Sequence, residues 1–197
     1  MIECGKILFD GVTIASRVSE LAGRISRDYA GKELVLVCVL KGAVMFTTDL
    51  ARGISVPVTM EFIQAASYGG ATASSGKVVI KKDLDTDIAG RHVLLVDTII
   101  DTGGTMNNLL QMLAARGPAS LGVAVLLDKR CKRAIDVPIA YRGFEIQDLF
   151  VVGYGMDYGE RYRNLPYVSV LGAVGKGAQD FLVKDQIDGK SLERVIK

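Results

Sequence analysis

The pattern of hydrophobic and polar positions predicts alternating helices and strands. From Val12 to Tyr29 the apolar residues recur at helical spacing, and Gly31 follows as a terminator. Leu34 to Leu40 is an unbroken apolar run rich in valine, which is typical of a strand covered on both faces. The other predicted elements are helices after Gly42 through Leu50 and at 105–116, and strands at 56–65, 77–81, 93–97, 121–127, 139–141, 149–152 and 167–171.

Strands separated by helix-length segments predict an α/β fold with a mostly parallel sheet flanked by helices on both faces. Residues 67–77 are small, polar and rich in glycine, so we expect a mobile loop at the tip of a hairpin spanning 61–81. The length of 197 residues suits one domain, which we assign to residues 1–171. Residues 172–197 form a C-terminal extension, either a docked helix or a tail.

Composition narrows the class of protein. The net charge of +2 gives no bulk attraction to nucleic acid, and the apolar runs are too short to span a membrane. The first ten residues do not resemble a signal peptide, and three scattered cysteines fit reduced thiols, so we expect a cytoplasmic protein. His92 is the only histidine, which argues against a histidine zinc site or a Ser-His-Asp triad; we expect it on the turn before a strand.

The clearest chemical motif follows the buried strand that begins at Val93. Ligands in open α/β sheets bind beyond the carboxyl ends of strands, where this motif lies. The polar positions in it are Asp97, Asp101, Thr102, Gly103, Gly104 and Thr105. A phosphate can be bound by the backbone N–H groups that the two glycines expose, by the two threonine hydroxyls and by the helix N-terminus. The carboxylates instead suit sugar hydroxyls and a metal ion. A ribose bearing a 5'-phosphate meets both requirements; an ordinary helix N-cap is the alternative.

Val93 to Met106 resembles the phosphoribosyl-pyrophosphate signature of the type I phosphoribosyltransferases. From Ile7 to Leu171 the chain resembles their hypoxanthine-guanine branch. The motifs that carry this resemblance are VLKGAVMF at 39–46, SYGG at 67–70, LLDKR at 126–130 and GFEIQDLFVVGYGMDYGERYRNLPYV at 143–168.

The resemblance implies a purine salvage enzyme whose core carries a small hood region. Such an enzyme transfers the 5-phosphoribosyl group to hypoxanthine or guanine, which gives IMP or GMP and pyrophosphate. It implies Mg²⁺ as the cofactor and phosphoribosyl pyrophosphate and a 6-oxopurine base as the partners. We expect no nucleic acid and no membrane as a partner, and a homodimer or homotetramer as the assembly.

For phosphoribosyl pyrophosphate, the resemblance implies a phosphate loop, a pyrophosphate loop and a closing loop. The binding residues implied are Asp97, Thr98, Asp101, Thr102, Gly103, Gly104, Thr105, Lys41, Gly42 and Arg163. The pyrophosphate loop carries a non-proline cis peptide bond before Lys41. Ser67 and Tyr68 begin the loop that closes over the reacting carbon and excludes water.

For the purine, the resemblance implies that Lys129 donates to O6, that the Phe150 ring stacks on the base and that the Val151 backbone reads its edge. Without it, Phe150 is expected in the core. Asp157 is implied as a purine-site residue and, with Asp97, as a metal ligand. We interpret Arg130, Lys132 and Arg133 as surface charge.

The expected catalytic residue is Asp101, which would take a proton from the imidazole part of the purine. Thr98 departs from the family pattern, because an acid normally follows the first acid there. A threonine can still bond a ribose hydroxyl but brings no charge, so we expect weaker binding of phosphoribosyl pyrophosphate.

Two alternatives remain at this stage. One is a xanthine-preferring phosphoribosyltransferase, because the residues that read the purine 2-position are partly backbone. The other is a regulator that binds RNA or a nucleotide on the same fold without catalysis. Against the regulator stand Asp101, Lys129, Phe150, Asp157 and Arg163, together with the lack of a broad basic face.

Overall fold

The computed structural model of the chain describes residues 2–67 and 78–173. The strands are β1 (Ile2–Phe9), β2 (Leu34–Val39), β3 (Val58–Ser67), β4 (Val78–Lys82), β5 (His92–Ile100), β6 (Ser120–Asp128), β7 (Tyr141–Glu145), β8 (Val151–Val152) and β9 (Val168–Ala173). The helices are α1 (Gly11–Asp28), α2 (Val44–Gly53) and α3 (Gly104–Ala114), with a 3-10 turn at Arg130–Lys132. None of these helices is long and apolar enough to cross a membrane.

A six-stranded sheet in the order β4-β3-β2-β5-β6-β7 forms the centre of the molecule. All its neighbouring strands are parallel except β3 and β4, which form the predicted antiparallel hairpin. The α/β prediction is therefore confirmed. Parallel order brings the carboxyl ends of β2, β5 and β6 to one edge of the sheet, which is where the candidate site lies.

Helices cover both faces of this sheet, as the sequence predicts. On one face Leu36 and Leu94 pack with α1 and α2 residues such as Leu21 and Phe46. On the other face Val37, Leu95 and Val125 pack with Leu109 and Leu113 of α3. Strands buried on both sides account for the continuous apolar runs of β2 and β5.

A second sheet, in the order β1-β9-β8, forms the hood and joins the two ends of the described chain. β1 is not predicted from the sequence. Its pairing with β9 shifts register between Cys4 and Ile7 and again between Ile7 and Phe9. Such irregularities interrupt the alternation of apolar and polar residues by which a strand is identified in a sequence.

Several strands begin or end at other residues than the sequence predicts. β5 continues through Thr98 to Ile100, and it begins at His92, whose Nδ1 lies 2.7 Å from the Ser120 hydroxyl oxygen. The prediction that His92 lies on a turn is therefore wrong. β9 runs to Ala173, past the proposed domain boundary, and the remaining part of the predicted extension lies outside the described residues.

Candidate active site

The phosphate loop lies between β5 and α3. Gly103 caps the helix with a φ of 89°, and a Cβ there would overlap the carbonyl oxygen of Ile135. Only glycine fits both conditions. The Gly104 N–H donates to the Thr102 hydroxyl at 3.5 Å, and Thr105 is exposed in the first turn of α3. Exposed hydroxyls at a helix N-terminus form a suitable cradle for a phosphate.

Asp97 lies on β5 just before this loop, and its surroundings change its acidity. Oδ1 of Asp97 accepts a hydrogen bond from the Thr98 N–H at 2.7 Å. Burial raises the pKa of Asp97 to about 7, although backbone N–H groups of Thr98 and Ile99 oppose the shift. The carboxyl group is therefore poised to change charge near neutral pH.

Thr98, the departure from the family pattern, is 1% exposed. Among the described residues its hydroxyl has no hydrogen-bond partner. The hydroxyl faces the pyrophosphate loop, since it lies 3.8 Å from the position that a Cβ on Gly42 would occupy. A buried hydroxyl without a partner is unfavourable, so a ligand hydroxyl could satisfy it.

The predicted base-recognition lysine and the predicted catalytic carboxylate lie side by side. Lys129 follows β6 and is 8% exposed, and its Nζ is 3.7 Å from Oδ2 of Asp101. Asp148, which the sequence analysis misses, lies on the other side at 3.8 Å. The Asp101 side chain itself is half exposed, at 52%, and is thus accessible to a ligand.

Phe150 is exposed, not part of the core. Its side chain is 54% exposed, and its ring meets that of Tyr158 edge to face with centroids 5.7 Å apart. The neighbouring Val151 is buried in β8 and pairs with Val170. An exposed aromatic face held by a second ring can accept a flat base.

The pyrophosphate loop follows β2. The peptide bond between Leu40 and Lys41 is cis, as the resemblance predicts. Gly42 packs against Gly155, where φ is 96° and a Cβ would overlap the Gly42 carbonyl oxygen. This contact brings the loop beside the segment that carries Asp157 and Arg163.

The charged groups of these two segments are paired with one another. Arg163 donates to the Gly155 carbonyl oxygen at 2.8 Å and lies 2.7 Å from Oδ1 of Asp157. Glu160, which the sequence analysis also misses, lies 2.8 Å from the Lys41 ammonium and 3.3 Å from Arg163. The only sequence signal for Glu160 is its spacing of three residues from Arg163; its contact with Lys41 spans 119 residues.

Arg133 does not contribute surface charge, contrary to the sequence interpretation. Its side chain is 11% exposed and pairs with Asp128, which is buried and also lies 2.8 Å from Arg142. Its Nε donates to the Asp101 carbonyl oxygen at 3.2 Å. Arg133 therefore stabilises the phosphate loop through the backbone of Asp101. Arg130 is exposed, and Lys132 is half exposed and pairs with Asp148.

The predicted closing loop is described only at its beginning. Ser67 is the last residue of β3, where its backbone pairs with Val78 of β4. Tyr68 and the rest of the predicted mobile loop lie outside the described residues.

Comparison with known proteins places this chain in one family. Residues 6–159 match the phosphoribosyl transferase domain. The hypoxanthine-guanine phosphoribosyltransferase of Mycobacterium avium is 48% identical over 84% of this chain and 84% of its own. The hypoxanthine phosphoribosyltransferase of Salmonella typhimurium is 45% identical over 83% of this chain and 93% of its own.

A solved structure of Trypanosoma cruzi hypoxanthine phosphoribosyl transferase superposes with a TM-score of 0.81 at 44% identity, covering 86% of this chain and 92% of that one. That structure concerns the role of the C-terminal region in the enzyme's oligomeric state and activity. The chain belongs to the phosphoribosyl transferase family. Within it, the chain lies in the hypoxanthine-guanine branch and is a phosphoribosyltransferase of purine salvage.

Enzymes of this family in general depend on a metal ion. Within the described residues, no group of three or more His, Cys, Asp or Glu side chains could hold a metal. A divalent ion such as Mg²⁺ usually keeps several waters and binds through one or two carboxylates together with substrate phosphates. Asp97 and Asp157 are oxygen donors of that kind, so the residues present fit an ion that arrives with its substrate.

Proposed function

We propose that this protein transfers the 5-phosphoribosyl group of phosphoribosyl pyrophosphate to hypoxanthine and guanine, which gives IMP and GMP and releases pyrophosphate. The observation that carries this proposal is the distance of 3.7 Å between the Lys129 ammonium and the Asp101 carboxylate, directly beside a phosphate loop. A 6-oxopurine presents O6 and the imidazole N7 on the same edge. The Lys129 ammonium can donate to O6, and the Asp101 carboxylate can accept from N7 when N7 carries a proton.

In the proposed reaction, N9 of the purine attacks C1' of the ribose as the bond from C1' to the pyrophosphate oxygen breaks. Asp101 takes the proton from the imidazole ring, so that the base becomes neutral as the new bond forms. The half-exposed Phe150 ring stacks on the purine, and the backbone of Val151 lies at its edge. Asp97 and Thr98 bind the ribose hydroxyls.

The leaving pyrophosphate gains negative charge, and two cations are available to neutralise it. Lys41 on the loop after β2 and Arg163 on the opposite segment approach a common point, since both contact Glu160. Fixed cations aimed at developing charge stabilise the transition state. The closing loop that begins at Ser67 and includes Tyr68 would exclude water during the reaction.

Mg²⁺ is the metal ion we propose, held by Asp97 and Asp157 and by oxygens of the substrate. When bound, the ion would supply positive charge that neutralises the pyrophosphoryl oxygens. Asp157 pairs with Arg163 at 2.7 Å, so its carboxylate would be shared between Arg163 and the ion.

Lys129 explains which purine bases we expect the enzyme to accept. Its ammonium can donate to a 6-oxo group but not to the 6-amino group of adenine, which is itself a donor. Salmonella's relative is named for hypoxanthine alone, whereas the Mycobacterium relative is named for hypoxanthine and guanine. Preference for xanthine is the second candidate, because the purine 2-position is read partly by backbone groups.

We further propose a cytoplasmic enzyme that assembles as a homodimer or homotetramer. Free thiols at Cys38 and Cys131 fit a reducing compartment. We treat residues 1–171, continued to the end of β9 at Ala173, as the catalytic domain, and we propose that the extension after Ala173 influences assembly. The solved structure of the Trypanosoma relative concerns the role of its C-terminal region in the oligomeric state, which supports this part of the proposal.

The test is an assay of pyrophosphate release. The protein is incubated with phosphoribosyl pyrophosphate and Mg²⁺, and with hypoxanthine, guanine, xanthine or adenine as the base. We expect release with the first two bases and none with adenine. Faster release with xanthine would favour the second candidate. Release with none of the four would favour a non-catalytic regulator that binds RNA or a nucleotide.

A further inference from the structure

Glu160 occupies the point where two cations converge. One oxygen of its carboxylate, Oε2, lies 2.8 Å from Nζ of Lys41, and the other, Oε1, lies 3.3 Å from a terminal nitrogen of Arg163. The two cations come from segments far apart in sequence, on the loop after β2 and on the turn that precedes β9. A single carboxylate therefore bridges both groups that the proposed function assigns to pyrophosphate.

The backbone of the turn holds Glu160 in this position. Its φ is 63°, in the left-handed region that non-glycine residues seldom adopt, and its N–H donates to Oδ2 of Asp157 at 3.0 Å. Because Asp157 also pairs with Arg163, the carboxylate and one of its cations share the same anchor. Asp157 thus fixes the position of Glu160 relative to Arg163.

The pairing is reversible because it is exposed. Side-chain exposure is 57% for Lys41 and 65% for Glu160, so water screens the attraction between them. Exposed ion pairs of this kind contribute little, and a pyrophosphate with several negative charges attracts the same cations more strongly. The ligand can therefore displace the carboxylate, but it must compete with it.

We propose that Glu160 is an internal competitor of the pyrophosphoryl group: its carboxylate pairs with Lys41 and Arg163 in the ligand-free enzyme, and its withdrawal sets the affinity for phosphoribosyl pyrophosphate and pyrophosphate. Glu160 is in this view an affinity-determining residue and does not act on the reacting atoms. The inference rests on the proposed function, since it requires these cations to bind pyrophosphate. It makes a prediction of definite sign, because removing a competitor tightens binding, whereas removing a residue that merely orients the cations weakens it.

The experiment compares Glu160→Gln with the unchanged chain. Glutamine keeps the size and the backbone environment but loses the charge. We measure the Kd of inorganic pyrophosphate with Mg²⁺ by titration calorimetry, and KM and kcat for phosphoribosyl pyrophosphate in steady state. Glu160→Gln should lower both the Kd and the KM by about two- to tenfold, the range allowed by two weak ion pairs of an exposed carboxylate. The affinity for GMP, which lacks the pyrophosphoryl group, should stay the same.

Glu20→Gln is the matched control, because Glu20 is also exposed and pairs with Arg17 at 3.0 Å on α1, in a different part of the molecule. Its Kd for pyrophosphate should equal that of the unchanged chain. An unchanged or raised Kd in Glu160→Gln overturns the inference, as does equal tightening in Glu20→Gln. If the unchanged chain neither binds pyrophosphate nor releases it, the proposed function itself fails, and that result is separate from these.

Discussion

The Lys129 ammonium lies 3.7 Å from the Asp101 carboxylate, across the boundary between two neighbouring parallel strands of the sheet. Asp101 follows β5, whereas Lys129 follows β6. This pairing gives the site one donor and one acceptor at adjacent positions, and the separate contributions of the two groups can be measured.

Asp101→Asn should retain substrate binding and lose turnover. Asparagine keeps the shape of the side chain but cannot accept the purine proton. We expect kcat to fall by about 10²- to 10⁴-fold, the usual contribution of a general base, with little change in KM. Asp148→Asn is the control, since Asp148 lies on the other side of Lys129 at 3.8 Å and has no proposed role with the proton. Near-normal turnover in Asp101→Asn would remove it from the role of base.

Lys129→Gln should weaken binding of the base. A hydrogen bond from a charged donor is worth about 1.5–3 kcal/mol, so KM for hypoxanthine should rise by roughly 10- to 100-fold. The preference against adenine should shrink as well. Lys132→Gln provides the comparison, because Lys132 pairs with Asp148 at 2.8 Å but is half exposed. Equal effects of the two substitutions on KM would argue against a specific role for Lys129.

The raised pKa of Asp97 predicts that stability depends on pH. Because burial raises the pKa of Asp97 from 3.8 to about 7, the folded state binds a proton more tightly than the unfolded state. The contribution of this group to stability is therefore full below about pH 4 and is lost as the pH rises towards 7 and beyond. In metal-free buffer, the free energy of unfolding of the unchanged chain should fall relative to Asp97→Asn between pH 4 and 8. A constant difference across that range would contradict the prediction.

Thr98→Asp should restore the second acid that the family pattern contains. We expect a several-fold lower KM for phosphoribosyl pyrophosphate, together with a lower free energy of unfolding, because Thr98 is 1% exposed and a carboxylate there loses its water. Thr98→Val separates the two effects. The Thr98 hydroxyl has no partner in the described part of the chain, so valine should not destabilise the free protein. If KM is the same for threonine and aspartate, the residue does not limit substrate binding.

Arg133→Ala should destabilise the protein and disturb the phosphate loop. Arg133 pairs with the buried Asp128 and donates to the Asp101 carbonyl oxygen at 3.2 Å. Removing one partner of a buried ion pair costs about 3–5 kcal/mol when the other charge is left uncompensated. Because Arg142 still lies 2.8 Å from Asp128, we expect a smaller fall in the free energy of unfolding. KM for phosphoribosyl pyrophosphate should rise in parallel. Arg130→Ala, at an exposed position in the same turn, should change neither quantity.

The sequence is informative wherever the signal is local. Continuous apolar runs predict β2 and β5, because strands buried on both faces have no polar side. The phosphate loop is equally evident, since Gly103 and Gly104 directly follow a strand and begin a helix. The irregular pairing of β1 conceals that strand, because a register shift breaks the alternation that identifies a strand.

The sequence by itself determined the family, most of the helices and strands and the residue types of the site, because each of these depends on residues close together in the chain. Only the tertiary structure decided which charges are paired. Glu160 and Lys41 are 119 residues apart, and Arg133 donates to the carbonyl oxygen of Asp101, which lies 32 residues away in the chain. Whether a charged side chain binds a ligand, supports a loop or competes with the ligand depends on its partners and its exposure, and these arise only when distant segments pack together.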